Sequence, residues 1–118
     1  MIEFTYIGRV MSINNYLKPR KTKGHSFVGH YLSKESKLYK SELGWLYKQA
    51  GGQLIPGRVK IEIEYFYSSR GLDIDNIAKP ILDALQGIAY TNDNQVIHLN
   101  IKKIFGNWTG LKIKVDKI

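Results

Sequence analysis

The segment VKIEIEYFY, at residues 59–67, places an apolar or aromatic side chain at every second position and a lysine or glutamate at most positions between. Side chains two apart point to the same face of a β-strand, so this alternation predicts a strand with one buried face. Similar alternation predicts strands at 2–10, 95–104 and 111–118, and the turn residues FGNWTG indicate a hairpin between the last two. We expect these four strands to form the sheet of the domain.

Two other segments change to a helical period. The first helix is predicted to begin after Ser33, which can cap its N-terminus, with Glu35 in its first turn. Gly51 and Gly52 then end it. Its predicted apolar stripe consists of Tyr39, Leu43, Leu46 and Ala50, widened by Leu38 and Trp45.

A second helix is predicted from about Asp75 to Gln86, ending at Gly87. Because proline lacks an N–H, Pro80 is expected only near a helix start, so the first turn is predicted to be irregular or to begin later. The apolar stripe of this helix consists of Ile77, Ile81, Leu82 and Leu85. The order β, loop, α, β, α, β, β predicts a single α+β domain over residues 1–118, with two main helices packed on a mixed sheet.

The chain carries an excess of positive charge, with 18 lysine and arginine residues against 10 acidic ones and a formal net charge of +8. This excess favours a polyanion or an anionic membrane surface as partner. The absence of cysteine excludes a disulfide framework and a thiolate zinc site, and it fits a reducing compartment. The N-terminus has no apolar stretch of the signal-peptide type, and no segment reaches the ~20 apolar residues of a membrane span. We therefore expect a cytoplasmic protein without a membrane partner.

The stretch GLDIDNIAKPILDAL, at residues 71–85, gathers acidic side chains where a strand gives way to a helix. Asp73 and Asp75 lie two apart in extended backbone, so their carboxylates can point the same way. Two carboxylates within about 4 Å repel unless a cation lies between them. Mg²⁺ prefers such oxygen ligands, and Asn76 adds a neutral oxygen donor.

Lys79 lies between two acids on one face of the predicted helix, because Asp75, Lys79 and Asp83 follow each other at intervals of four. A structural interpretation stays open at this point. Asp75 would then cap the helix, and Lys79 with Asp83 would form an ordinary solvated ion pair.

Asp93, in the segment YTNDNQV, precedes the next predicted strand. Taken alone, it is typical of a turn aspartate. A third carboxylate nevertheless fits metal-assisted phosphodiester hydrolysis, which needs an anchored metal and an activated water. Lys79 could then stabilise charge on the phosphate or orient the water.

Together, the segments DIDNIAKPILDAL and NDNQV resemble the RusA family of Holliday junction resolvases. The family pattern is D-x-D-N-x-x-K-x-x-x-D-A-L, followed some ten residues later by an acidic turn and Q-V. SINNYLK and GHYLSKESKLYKSEL resemble the family's early asparagine, its basic loop and the start of its first helix. The resemblance covers about residues 12–104. The family often has two adjacent acids in the turn, where this chain has Asn92 and Asp93.

The resemblance implies a homodimeric, Mg²⁺-dependent endonuclease, with Mn²⁺ able to substitute, that nicks four-way DNA junctions symmetrically in recombination and repair. It makes Asp73, Asp75 and Asp93 the metal-binding catalytic acids and Lys79 the catalytic basic residue. Asp83 would support Lys79 rather than bind metal. Small resolvases of this kind are bacterial and often prophage-encoded.

The length of the second helix bears on where Asp93 acts. A helix over residues 75–86 spans roughly 17 Å at ~1.5 Å per residue, so Asp93 begins its loop far from Asp73. Residues 87–93 would have to run nearly straight to return at ~3.3 Å per residue. We therefore favour a shared site, in which Asp93 of one subunit completes the site of the partner.

The basic segment within residues 14–30 is predicted to be a polar loop that clamps the DNA backbone, with a solvated surface loop as the alternative. Arg70 would contact phosphate or neutralise the acids that follow it. The predicted DNA-binding residues are Lys18, Arg20, Lys21, Lys23 and Arg70. Packing is favoured over base stacking for Tyr16, Phe27 and Tyr31, and core or dimer contacts are favoured for Trp45 and Trp108. The three histidines, His25, His30 and His98, are interpreted as structural or surface residues.

Two other functions stay open from the sequence. One is a non-catalytic DNA-binding module whose acids are structural. The other is a nuclease for a different branched DNA, such as a flap or a fork. Mg²⁺-dependent cleavage separates the first from a resolvase, and a panel of branched substrates separates the second.

Overall fold

The computed structural model describes residues 1–20 and 29–118, with the backbone alone for residues 18–20, 29 and 30. The elements in chain order are β1 (Ile2–Ile7), α1 (Ile13–Tyr16), β2 (Leu17–Arg20), β3 (Gly29–Leu32), α2 (Lys34–Gln49), β4 (Val59–Tyr67), α3 (Ile74–Leu85), a 3-10 helix (Asp93–Gln95), β5 (Val96–Phe105) and β6 (Gly110–Lys117). The predicted α+β class is confirmed, because a mixed four-stranded sheet packs with the helices.

The strand predicted over residues 59–67 is confirmed and lies inside the sheet, whose order is β1-β6-β4-β5. β4 pairs in parallel with β5 and antiparallel with β6. The predicted hairpin between the last two strands is therefore wrong, because β4 lies between them. Their connection crosses the end of β4, where the N–H of Gly106 donates to the carbonyl of Tyr67 at 2.9 Å. There the ring of Trp108 also stacks on Phe66, with centroids 4.4 Å apart.

The alternating strands supply one half of the core. Ile61 and Ile63 of β4 and Phe4 of β1 are buried, as the alternation predicts. The strand predicted over residues 2–10 is shorter than expected and ends at Ile7, because Gly8 takes a φ of 144° that turns the chain away from the sheet.

Helix α2 begins and ends as predicted. The Oγ of Ser33 accepts a hydrogen bond from the N–H of Ser36 at 3.2 Å. Gly51, with a φ of 93°, follows its C-terminus. These two local signals fix a 16-residue helix.

The prediction that Leu38 and Trp45 widen the apolar stripe of α2 is wrong, since they are 62 % and 59 % exposed. The buried face of the helix contains Tyr39, Leu43 and Tyr47. At 3.6 residues per turn, Leu38 and Trp45 lie about 140° or more from the centre of that face, on the solvent side.

Helix α3 runs from Ile74 to Leu85 and passes through Pro80, so the predicted restriction of Pro80 to a helix start is wrong. Proline cannot donate the helical hydrogen bond to the carbonyl of Asn76, which costs about 3 kcal/mol in a helix interior. The Pro80 ring is buried in the core face of α3, and that packing offsets the cost.

The segment predicted as a polar loop over residues 14–30 contains regular structure at both ends. α1 covers its start, and β2 and β3 pair antiparallel as a separate two-stranded ribbon. Pro19 lies in this ribbon, where a residue without an N–H is tolerated at an open edge. Within the described parts of the chain, no helix is both long and apolar enough to cross a membrane.

Candidate functional site

Among the described residues, the side chains of the two acids after β4 have no structural partner. Asp73 holds the N-cap position of α3 without making a side-chain capping bond, and Asp75 lies in the first turn. Both side chains are exposed. Neither forms an ion pair within the described part of the chain. The alternative in which Asp75 caps the helix is therefore wrong, and both carboxylates are free to bind a ligand.

This pair of acids suits a hard divalent cation. Mg²⁺ is commonly held by one or two carboxylates, while water and substrate phosphate complete its coordination. Asn76, half-buried in the same turn, adds an amide oxygen. The donor set fits Mg²⁺ with two carboxylates. Among the described residues no three His, Asp or Glu side chains lie close enough together to hold a metal, so Asp93 is not gathered with the pair.

Asp93 is held in a closely bonded turn. Asn92 caps the 3-10 helix, with its Oδ1 accepting from the N–H of Asn94 at 3.0 Å. The Oε1 of Gln95 accepts in return from the N–H of Asn92 at 3.1 Å. The N–H of Asp93 itself donates to Oε1 of Gln86 at 3.3 Å, which ties the turn to the end of α3. The capping role belongs to Asn92, so the Asp93 carboxylate is available for other contacts.

That carboxylate lies beside Lys79. The Nζ of Lys79 is 3.0 Å from Oδ2 of Asp93, and the lysine side chain remains 55 % exposed. The predicted shared site rested on the distance that the chain must cover after α3. Gly87, with a φ of 87°, turns the chain back so that Asp93 meets Lys79 in mid-helix, but among the described residues Asp93 does not join Asp73 and Asp75, and the shared site stays a prediction.

Asp83 contacts other residues than those predicted. Its Oδ2 accepts a hydrogen bond from the hydroxyl of Tyr16 and lies 3.7 Å from Nζ of Lys40. The predicted support of Lys79 by Asp83 is wrong, since Lys79 pairs with Asp93 instead. Burial, followed by the bond to Asp83, raises the pKa of the Tyr16 hydroxyl above its ordinary value. Asp83 therefore joins α3 to α1 and α2.

A family model described as Endodeoxyribonuclease RusA matches residues 12–116. The chain belongs to the RusA endodeoxyribonuclease family. This membership supports an endonuclease that resolves Holliday junctions. No curated protein sequence matches the chain significantly.

The predicted DNA-binding residues of this RusA family member fall in two places. Lys18 and Arg20 belong to β2. Arg70 is exposed in the connection from β4 to α3, directly before the acidic pair. Lys21 and Lys23 lie outside the described residues.

The aromatic and histidine predictions have mixed outcomes. Tyr16 is only 1 % exposed, which confirms packing over stacking, and Tyr31 is 42 % exposed. Trp108 is half-buried, whereas Trp45 is not a core residue. His98 is exposed on β5, as expected for a surface residue. Phe27, His25 and the side chain of His30 lie outside what the structure describes.

The sequence reasoning missed Gln95 as a positioning residue. Its Nε2 donates to the carbonyls of Ile55 and Gly57, each at 2.8 Å, while its Oε1 accepts from the Asp93 turn. A sequence signal for Gln95 existed, because this residue is the Q of the Q-V pair in the family pattern. The hydrogen bond from Tyr16 to Asp83 joins residues 67 positions apart, and no local sequence pattern predicts it.

Proposed function

We propose that this chain is a Mg²⁺-dependent, structure-selective endonuclease that resolves four-way DNA junctions by symmetric phosphodiester hydrolysis in recombination and repair. The observation that carries the proposal is the pair Asp73 and Asp75, which are exposed and form no ion pair and no capping bond among the described residues, with Lys79 and its contact to Asp93 one turn after Asp75 on α3. Two exposed carboxylates whose charge is not neutralised within the described chain favour a cation from solution as their ligand.

The acidic pair would hold the cation. In the proposed arrangement Asp73 and Asp75 bind Mg²⁺ directly, with Mn²⁺ able to substitute, and Asp93 is the third catalytic acid. When bound, the metal supplies charge neutralisation at the scissile phosphate and a water of lowered pKa.

Lys79 would act on the phosphate. Its ammonium group is held at 3.0 Å by Asp93 and remains accessible. A fixed, exposed cation can donate hydrogen bonds to a phosphate oxygen and stabilise the charge that develops there. The Asn92–Gln95 turn keeps Asp93 in place, so Lys79 is oriented before substrate arrives.

The substrate follows from charge and family. A formal net charge of +8 favours a polyanion, and membership in the RusA family supports branched DNA. The basic residues Lys18, Arg20, Lys21, Lys23 and Arg70 would bind its backbone. We place the protein in the bacterial cytoplasm, with a prophage as a common source of such resolvases.

A homodimer would match the two-fold symmetry of the junction, because symmetric cleavage needs two sites. Leu38 and Trp45, both more than half exposed, lie seven residues apart on the outer face of α2. They offer an apolar contact for a second copy. Trp45→Lys should reduce the mass measured by light scattering from dimer to monomer, and an unchanged mass would exclude this face.

The proposed activity is tested with a labelled four-way junction and a linear duplex of the same sequence, each with and without Mg²⁺. We expect paired nicks in the junction alone, only with metal, and none from Asp75→Asn. Asp116→Asn is the matched control, because it makes the same chemical change on β6, where Asp116 pairs with the N-terminus. Junction binding without cleavage under any divalent metal would leave a binding module. Preferential cleavage of flaps or forks would leave a nuclease for other branched DNA.

A further inference from the structure

Lys103 lies at the same end of the sheet as the acidic pair. β4 and β5 pair Tyr65 with Lys103 in register, and Tyr65 is buried on the face that packs with the helices. Lys103 therefore points to that face, toward the connection that leads into α3.

The Lys103 side chain is held against that connection. Its Nζ lies 5.0 Å from the centroid of the Tyr67 ring. A Cβ placed on Gly71 would lie 3.2 Å from Cε and Nζ of Lys103. The ammonium group thus rests against the backbone two residues before Asp73.

The ring that holds Lys103 is itself fixed. Tyr67 meets Phe105 edge to face, with centroids 5.6 Å apart, and lies 5.7 Å from the ring of Tyr65. An aromatic face attracts an ammonium group without neutralising it. Lys103 is exposed, and no described carboxylate forms an ion pair with it.

We propose that Lys103 is a substrate-binding residue that contacts a DNA phosphate next to the one cleaved at the acidic pair. An oriented, unneutralised cation near two acids that have no ion pair among the described residues suits a phosphodiester chain, in which one phosphate follows another along the strand. The inference rests on the proposed function, since it adds a contact for the same substrate.

Lys102 supplies the matched control. It is the neighbouring residue of β5, so its side chain points to the opposite face of the sheet, where it lines a cleft with Glu64 and Lys112. Lys102→Met and Lys103→Met remove the same charge from adjacent positions. A difference between them reports position and not net charge.

The experiment measures binding of a fluorescent four-way junction in EDTA over a range of salt concentrations, so cleavage does not enter. For Lys103→Met we expect about fivefold weaker binding and a salt slope smaller by about 0.9, the value of one phosphate contact. Lys103→Arg keeps the charge, so it should retain the affinity and the salt slope of the unmodified protein. Lys102→Met should change neither quantity. Lys103→Gln gives a second test with a polar side chain, and thermal unfolding checks that each variant is folded.

The outcomes separate the two proposals. Equal effects of Lys102→Met and Lys103→Met, or no effect of Lys103→Met or Lys103→Gln, would overturn the phosphate contact while leaving the nuclease proposal intact. Failure of the unmodified protein to bind any junction would overturn both.

Discussion

The two halves of helix α3 carry acids in opposite surroundings. At its start, Asp73 and Asp75 are exposed and have neither an ion pair nor a cap within the described chain. Toward its end, Asp83 accepts a hydrogen bond from Tyr16 and lies near Lys40. The same residue type thus lacks partners among the described residues at one end of the helix and is bound into the fold toward the other.

The difference shows how to distinguish a ligand site from a structural acid. A carboxylate that forms a hydrogen bond within its own chain contributes to stability, and its removal lowers the free energy of unfolding. Exposed carboxylates that repel each other contribute little to stability, so their placement needs another explanation. Asp93 lies between these cases, because its partner Lys79 is itself exposed.

Neutralising Asp75 should have the largest effect on activity. Asp75→Asn should lower Mg²⁺-dependent junction cleavage by about 100-fold or more, because a metal ligand is lost. Its melting temperature should stay close to that of the unmodified protein. Cleavage rates and thermal unfolding measured on one preparation check both parts. A large loss of stability with a matching loss of activity would make Asp75 a structural acid.

Replacing Gln95 tests the intermediate case. Gln95→Ala removes hydrogen bonds to the Asp93 turn and to Ile55 and Gly57. We expect a loss of about 2 kcal/mol in the free energy of unfolding, together with roughly tenfold slower cleavage, because Asp93 loses its support. Urea unfolding and cleavage kinetics measure the two effects. Full activity in a destabilised variant would show that the turn does not orient Asp93 for catalysis.

Tyr16→Phe tests the structural role of Asp83. It removes the hydrogen bond to Asp83 and keeps the packing of the ring. The expected cost is about 1.5 kcal/mol in the free energy of unfolding, because the acceptor is a carboxylate. Cleavage by the folded fraction should be unchanged. A variant of full stability but impaired cleavage would place Asp83 in the site after all.

Alkaline pH also tests the hydrogen bond between Tyr16 and Asp83, because the Tyr16 hydroxyl is the group that loses a proton. Burial and Asp83 raise the pKa of Tyr16 in the folded state, so the unfolded chain releases this proton first. The stability that this raised pKa contributes is fully present below the ordinary tyrosine pKa near 10, and it is lost as pH rises above that value. Between a pH below 10 and about pH 11, the free energy of unfolding should fall by roughly 1 kcal/mol more for the unmodified protein than for Tyr16→Phe, as measured by urea unfolding. Equal losses would show that Tyr16 is not protonated preferentially in the fold.

The smallest effect is expected for Lys40. Its Nζ is 3.7 Å from Asp83, and both side chains are at least one-third exposed. Lys40→Met should change the free energy of unfolding by less than about 0.5 kcal/mol, because exposed ion pairs contribute little. A cost above that of Tyr16→Phe would reverse the order of the two partners of Asp83.

Local signals account for the parts of the fold that the sequence predicts well. The alternation of residues 59–67 and the Ser33 cap depend on neighbours in sequence, and both are confirmed. Pro80 inside α3 and the insertion of β4 between β5 and β6 depend on tertiary packing, which local patterns do not contain.

The candidate site divides in the same way. The spacing of Asp73 and Asp75 is visible in the sequence because they are near neighbours. The contact of Lys79 with Asp93 spans 14 residues and requires the turn at Gly87, which helix length alone does not predict. The bond of Tyr16 to Asp83 and the position of Lys103 against Gly71 join distant segments and needed the structure.

We propose that the start of α3, and not its end, binds the divalent cation. Paramagnetic broadening of backbone amide signals during Mn²⁺ titration tests it directly, without any reaction. We predict that the signals of residues 73–76 broaden first, and that Asp75→Asn removes this effect while Asp116→Asn does not. Earlier broadening around Asp83, or no selective broadening at all, would contradict the claim.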